Sequence, residues 1–175
     1  RGQWHAGMVC GENTGTIERC TNRASVTDGG SNTLGGICGY NNNGTISECL
    51  NTGTLTIDAA DDAIHCDLVL SIGADGTDGP TIDITNCCEG LEGAELNVCS
   101  GDITINASDD CLNAANSDLT DYDFTMTISG GTIDACSSAG DGFDSNGDLT
   151  ITGDTVIVWT ANTADNEPLD ADGTI

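Results

Sequence analysis

Residues 105–115 read INASDDCLNAA, and the spacing inside that stretch decides the fold. Ile105 ends an alternating run, Asp110 follows five residues later, Leu112 two after that, and the polar Asn113 comes next. The same unit of acid, spacer, apolar and polar residue recurs as Asp62-Ala63-Ile64-His65, Glu89-Gly90-Leu91-Glu92, Asp141-Gly142-Phe143-Asp144 and Glu167-Pro168-Leu169-Asp170. Asp62 and Glu89 lie five residues after Ile57 and Ile84, whereas Asp141 lies eight after Ile133, which implies a three-residue insertion in CSSAG (136–140). The acids recur at intervals of 27, 21, 31 and 26 residues, the period of a solenoid coil.

Between the acids lie short runs rich in Thr and Ile: TLTID (54–58), LVLSI (68–72), TIDIT (81–85), ELNV (95–98), DITIN (102–106), FTMTISGGTID (124–134) and LTITGDTVIV (149–158). Their two-residue alternation, bounded by Gly, Asn and Asp, predicts strands, and no stretch has helical spacing. Two strands and an acidic turn per coil predict an all-β parallel β-helix, in which stacking completes a core that no single coil could bury. A sandwich of regularly spaced strands is the rival, but it gives no reason for acids to recur in register.

That architecture resolves a conflict in the composition. The chain carries 29 Asp and Glu against 3 Arg and no Lys, a formal charge of -26. Leu, Ile, Val and Phe supply only 34 of 175 residues, a balance typical of disorder. A narrow solenoid core needs few apolar residues. The polyanion repels nucleic acid and anionic membranes, and no run of about 18 apolar residues predicts a membrane span. The start at Arg1 is expected for a mature or excised piece.

Residues 6–27 (AGMVCGENTGTIERCTNRASVT) and 35–56 (GGICGYNNNGTISECLNTGTLT) form a different pair of repeats, which divides the chain into residues 1–54 and 55–175. Cys10 and Cys20 in the first correspond to Cys38 and Cys49 in the second. With Cys66, Cys87, Cys88, Cys99, Cys111 and Cys136 they make ten, without CxxC spacing, so disulfides and an extracellular or cell-surface setting are expected. Their pairing is open, either within a repeat or between repeats. Unpaired Cys stacked inside the solenoid is the alternative.

At EGLEG (89–93), ASDDCLNAA (107–115), GDGFDSNGDLTITGDTVIV (140–158) and NEPLDADG (166–173), the sequence resembles a family of secreted bacterial β-helix proteins with carbohydrate-binding domains. The resemblance implies a right-handed parallel β-helix, calcium at acidic turns, and association with cellulose or polygalacturonate. Residues 6–56 resemble the GLUG repeats of bacterial surface and adhesin proteins. The six Cys from Cys66 to Cys136 depart from the first family, where Ala, Ser or Gly would be usual.

Stacked acids repel by on the order of 1 kcal/mol per adjacent pair in water, and by several times more at a protein surface. No Lys or Arg follows Arg23 to neutralise them. Calcium, a hard cation with six to eight oxygen ligands, is the expected counter-ion. Its expected ligands are Asp61, Asp62, Glu89, Glu92, Asp109, Asp110, Asn113, Asp141, Asp144 and Asp170. His65 is expected to play a structural part, hydrogen-bonding at the last position of its unit. Trp159, at the end of TVIVW, is expected either to face outward and stack on a sugar or to cap the apolar core.

A β-helix lyase usually takes a Lys or Arg base, which residues 24–175 lack, and paired carboxylates are too abundant here to single out a hydrolase site, so a polysaccharide lyase or glycoside hydrolase is the minor alternative. The expected function is therefore non-catalytic: polysaccharide binding or, alternatively, self-assembly end to end into an extracellular filament or adhesin through open strand edges.

Overall fold

The computed structural model describes residues 5–27, 33–161 and 166–175. It forms two compact units, Arg1–Ile57 and Asp58–Ile175. The strand pairings run parallel in both units, as the coil period predicts. Among the described residues there is no helix, and so none long and apolar enough to cross a membrane.

The first unit is two coils laid one on the other. Strands β1 (His5–Gly7), β2 (Cys10–Asn13), β3 (Thr16–Glu18), β4 (Thr21–Asn22) and β5 (Val26–Thr27) form the first coil. Strands β6 (Thr33–Gly35), β7 (Cys38–Asn41), β8 (Thr45–Ser47), β9 (Leu50–Asn51) and β10 (Thr54–Asp58) form the second, and each pairs with its counterpart. The Asn residues of the repeat hold its corners. Asn22 Nδ2 donates to Ala24 O and, 2.7 Å away, to Asn51 Oδ1 of the next coil, while Asn51 Nδ2 donates to Gly53 O. A short neutral amide can both donate and accept, so identical Asn residues stack without a penalty.

The second unit stacks as a β-solenoid of about five turns. Its strands are β11 (Ile64–Ile72), β12 (Thr81–Cys87), β13 (Leu91–Val98), β14 (Asp102–Ala107), β15 (Leu112–Ala114), β16 (Thr125–Ile128), β17 (Thr132–Ser137), β18 (Phe143–Ser145), β19 (Asp148–Ile151), β20 (Thr155–Thr160) and β21 (Leu169–Ala171). One wall is β12, β14, β17 and β20 in order. In the other, β13 pairs with β11 on one side and on the other with both β15 and β16, which continue to β18–β21 and β19 respectively.

Register piles like on like. Ile82, Ile103, Ile133 and Val156 form one inward row, and Leu96, Met126 and Leu149 another. Leu91, Leu112 and Phe143, the apolar members of three units, are fully buried in register between the half-buried Ile64 and Leu169. Each such burial contributes about 1.5–3 kcal/mol. The glycine turn before β17 is tight: a Cβ on Gly131 (φ 90°) would sit 2.7 Å from Gly101 O.

The expected three-residue insertion in CSSAG is corrected to one. Ile133 pairs with Ile103, and Ala135 takes the inward place opposite Ile105, six residues before Asp141. The long interval before Asp141 comes chiefly from residues 115–124, an excursion between β15 and β16 that has no counterpart in β13.

The expected disulfide framework is not formed in this structure: all ten Cys are free. Cys10 and Cys38 donate to Glu12 O and Tyr40 O, and Cys20 and Cys49 to Glu18 O and Ser47 O, each two residues away. Burial pushes the Cys87 and Cys111 thiols up to about 12, which keeps them protonated and unreactive. The register nevertheless selects partners. Cys10 lies opposite Cys38, and the offset that pairs Thr21 with Leu50 puts Cys20 opposite Cys49, at the ~4.8 Å strand spacing that a disulfide can span. Oxidation of the folded protein is therefore expected to yield Cys10–Cys38 and Cys20–Cys49. Mass spectrometry of unreduced peptides checks this, and a dominant Cys10–Cys20 link would contradict the register.

Candidate functional site

The five acidic units meet at one edge of the second unit. Ala63 N donates to Glu89 O, Gly90 N to Asp110 O, Cys111 N to Asp141 O and Gly142 N to Glu167 O, at 2.9–3.3 Å. This ladder aligns Asp62, Glu89, Asp110, Asp141 and Glu167 in a row. Three residues on, His65, Glu92, Asn113, Asp144 and Asp170 form a second row in strict register. The rows act on one another: the charges of Asp110 and Asp141 bear on Asp144, and those of Glu92 and Asp62 on Glu89.

Backbone amides tie the acids between coils. Asp141 N donates to Asp110 Oδ1 at 2.7 Å, and Glu167 N to Asp141 Oδ1 at 2.5 Å. Gly140 leaves the room this requires, since a Cβ there would lie 2.4 Å from Asp109 Oδ1 and 2.6 Å from Asp110 Oδ1. The turn itself is fixed by the buried Ser137 hydroxyl, which donates to Gly140 O and accepts from Gly140 N.

Asn113 is the anomaly. It is only 8% exposed, and its Nδ2 donates to Glu89 Oε2 at 3.0 Å. Its Oδ1 is enclosed and accepts no hydrogen bond. An orphaned buried acceptor costs about 1–3 kcal/mol, and this one stands in a row between Glu92 and Asp144, where other acceptors are carboxylates. The donor set here is all oxygen, which suits calcium.

Burial and mutual repulsion both act on these carboxyls. Burial pushes Asp110 up to about 6, the charges of Asp109, Asp141 and Glu89 adding to the shift against the Asp141 amide bond. Asp144 is likewise raised to about 6 by burial and then by Asp110, Asp141, Asp170 and Asp172. Burial also raises Glu89 and Glu92.

Of the residues expected from sequence, Asp62, Glu89, Asp110 and Asp141 align in the first row and Glu92, Asn113 and Asp144 in the second, and among the described residues it is Asp62 and Glu92, with His65, whose ligand atoms lie within 4.8 Å of one another. Asp170 ends its row exposed. Asp61 and Asp109 are exposed on an outer row and separated by Cys88, to which Asp61 O and Asp109 N are bonded. Glu167 and Asp172 belong to the edge although the ligand set read from the sequence omitted them. Glu167 could have been found as the acid of its own unit. Trp159 faces outward on β20, 65% exposed and in register with the exposed Cys136, so it does not cap the core.

The second unit is thus a parallel β-solenoid with an acidic, cation-deficient edge. The family model described as carbohydrate-binding domain-containing protein matches residues 76–174, more than half of the chain, and the chain belongs to that family. Comparison with curated proteins and with solved structures gives no match.

The pKa shifts fix a pH dependence for the metal-free protein. Asp110 and Asp144 hold protons more tightly folded (about 6) than unfolded (3.8). Their contribution is favourable below pH 3.8 and is lost as pH rises through about 6. The metal-free melting temperature is expected to fall between pH 4 and pH 6.5, and a rise across that window in thermal scans would contradict the assignment.

Proposed function

We propose that this chain is a non-catalytic, calcium-binding polysaccharide-binding module of a secreted, cell-surface protein, acting on cellulose or pectin-like glycans. The observation that carries the reading is the enclosed, unpartnered Asn113 Oδ1 amid carboxylates that no Lys or Arg neutralises. Glu89, Asp110, Asn113, Asp141 and Asp144 would hold the ion, with Asp170 at the end of the row. Calcium supplies charge neutralisation along the edge and, through open coordination positions, a bridge to uronate carboxylates.

Membership of the carbohydrate-binding family supports the glycan, and the GLUG-like repeats of residues 6–56 support a surface location. The non-catalytic reading draws on the lack of any Lys or Arg after Arg23 to serve as a lyase base. Trp159 offers an exposed indole beside Ile157 on the outward side of β20, a flat platform for a sugar ring. A second reading, end-to-end assembly, draws on β20 itself, whose outer edge pairs with no strand among the described residues.

Retention on cellulose and polygalacturonate, with and without calcium, tests the proposal. Calcium-dependent retention is expected on polygalacturonate, with a loss of about three- to tenfold in affinity for Trp159→Ala. Calcium-dependent growth in sedimentation without retention favours the filament, and release of unsaturated uronates or reducing ends overturns the non-catalytic reading. Calcium at a hundredfold excess over Kd is expected to stabilise the fold by about 2.7 kcal/mol. Asn113→Leu should remove much of that increment without lowering the metal-free melting temperature, because it also removes the orphaned acceptor. An unchanged calcium increment in Asn113→Leu would remove Asn113 from the site.

A further inference from the structure

We infer that Asp62, His65 and Glu92 form a site for a first-row divalent transition metal, chemically separate from the oxygen-only stretch of the same edge. One ligand atom from each lies within 4.8 Å of the others. Asp62 Oδ2 is 3.3 Å from His65 Nδ1, and Glu92 Oε2 also contacts Nδ1. A single ring nitrogen carries at most one proton, so it can donate to only one of two carboxylates that both converge on it. The other is left facing a like charge. A cation bound by all three groups removes the conflict.

The imidazole decides which cation. Calcium takes oxygen ligands, whereas an imidazole nitrogen beside carboxylates suits zinc, iron, nickel or copper. His65 is the only nitrogen base in its row; the register partners down the ladder are Glu92, Asn113, Asp144 and Asp170.

The other side of the ring is arranged for ligation. Nε2 lies 3.2 Å from Asp67 Oδ1, so in the tautomer protonated at Nε2 that carboxylate accepts the hydrogen bond and the Nδ1 lone pair is free for a metal, the usual outer support of a metal-bound His. Asp67 reaches this place through an irregularity in β11. Cys66 pairs with Gly93 and Val69 with Glu95, so Asp67 and Leu68 occupy a stretch where the partner strand has Ala94 alone. Such register shifts re-aim side chains next to functional sites. The 115–124 excursion is pinned to the same point by Asn116 Nδ2, which donates to Asp67 O at 2.7 Å. Between them lies a cleft of about 340 Å³ onto which His65 and Glu92 open, leaving room for further ligands to the metal.

The probe is Co²⁺, titrated into metal-stripped protein with calcium in large excess. Its visible bands report coordination, and a near-ultraviolet thiolate charge-transfer band reports any binding by the free Cys instead. Expected is one equivalent of Co²⁺ bound without the thiolate band, binding lost in His65→Ala, and a 10- to 100-fold weaker affinity in Asp67→Asn. Asn113→Leu should leave Co²⁺ binding intact, which separates this site from the calcium reading: loss of calcium stabilisation with cobalt binding retained rejects only that reading. A thiolate band at the first equivalent, displacement by calcium, or undiminished binding in both His65→Ala and Asp67→Asn overturns the inference.

Discussion

Parallel in-register stacking is the constraint on which the rest of this structure depends. In a solenoid, each residue meets its counterpart one coil away at about 4.8 Å, so a repeated sequence places every side chain against its own kind. For apolar residues this is wholly favourable, and Leu91, Leu112 and Phe143 build a core from one residue per coil. For ionised residues it is unfavourable, and the cost grows with each coil added. The five acidic units therefore stack like charges that residues 24–175, which hold no Lys or Arg, can offset with no cationic side chain but His65.

The two units answer the stacking of polar residues differently. In Arg1–Ile57 the stacked corner residue is Asn, whose amide donates to the next copy's oxygen, as from Asn22 to Asn51. A carboxylate has no proton to pass on near neutral pH. The acid edge instead recruits backbone amides from the following coil, Asp141 N for Asp110 and Glu167 N for Asp141. These bonds lower the cost without cancelling it, since Asp110 is still held near 6. Asn113 marks where the two solutions meet: its amide donates to Glu89, and its carbonyl oxygen is left facing a row of acceptors.

Much of this was legible in the sequence because alternation and coil period are direct consequences of strand geometry. The spacing of Ile105, Asp110, Leu112 and Asn113 sufficed to place five acids along one edge. Alternation has a period of two, however, so it cannot distinguish Ile103 from Ile105 as the partner of Ile133. The wrong choice produced an insertion of three residues where the fold has one. The Cys spacing suggested bridges, while only register shows which thiols lie opposite one another. The role of Asp67 was hidden for the same reason. It depends on a register shift between Cys66 and Val69 that no pattern in LVLSI announces.

The irregularities collect on one side of the edge, and that asymmetry has a physical basis. A perfect repeat would present identical carboxylates in every coil and could select ions only by charge. Replacing one acid by His65, displacing Asp67 in β11, and sending residues 115–124 back over that strand through Asn116 break the repeat at the coil where a neighbour on one side is absent from the ladder of the acidic units. Burial is lower there, as the half-buried Ile64 beside the fully buried Leu91 shows, so the packing cost of an irregular strand is smaller than it would be at Leu112. The interior coils, where the core is continuous, keep the strict register that aligns Glu89, Asp110 and Asp141. Regularity thus sets the charge of the edge, and the departures from it set the ligand chemistry at its end.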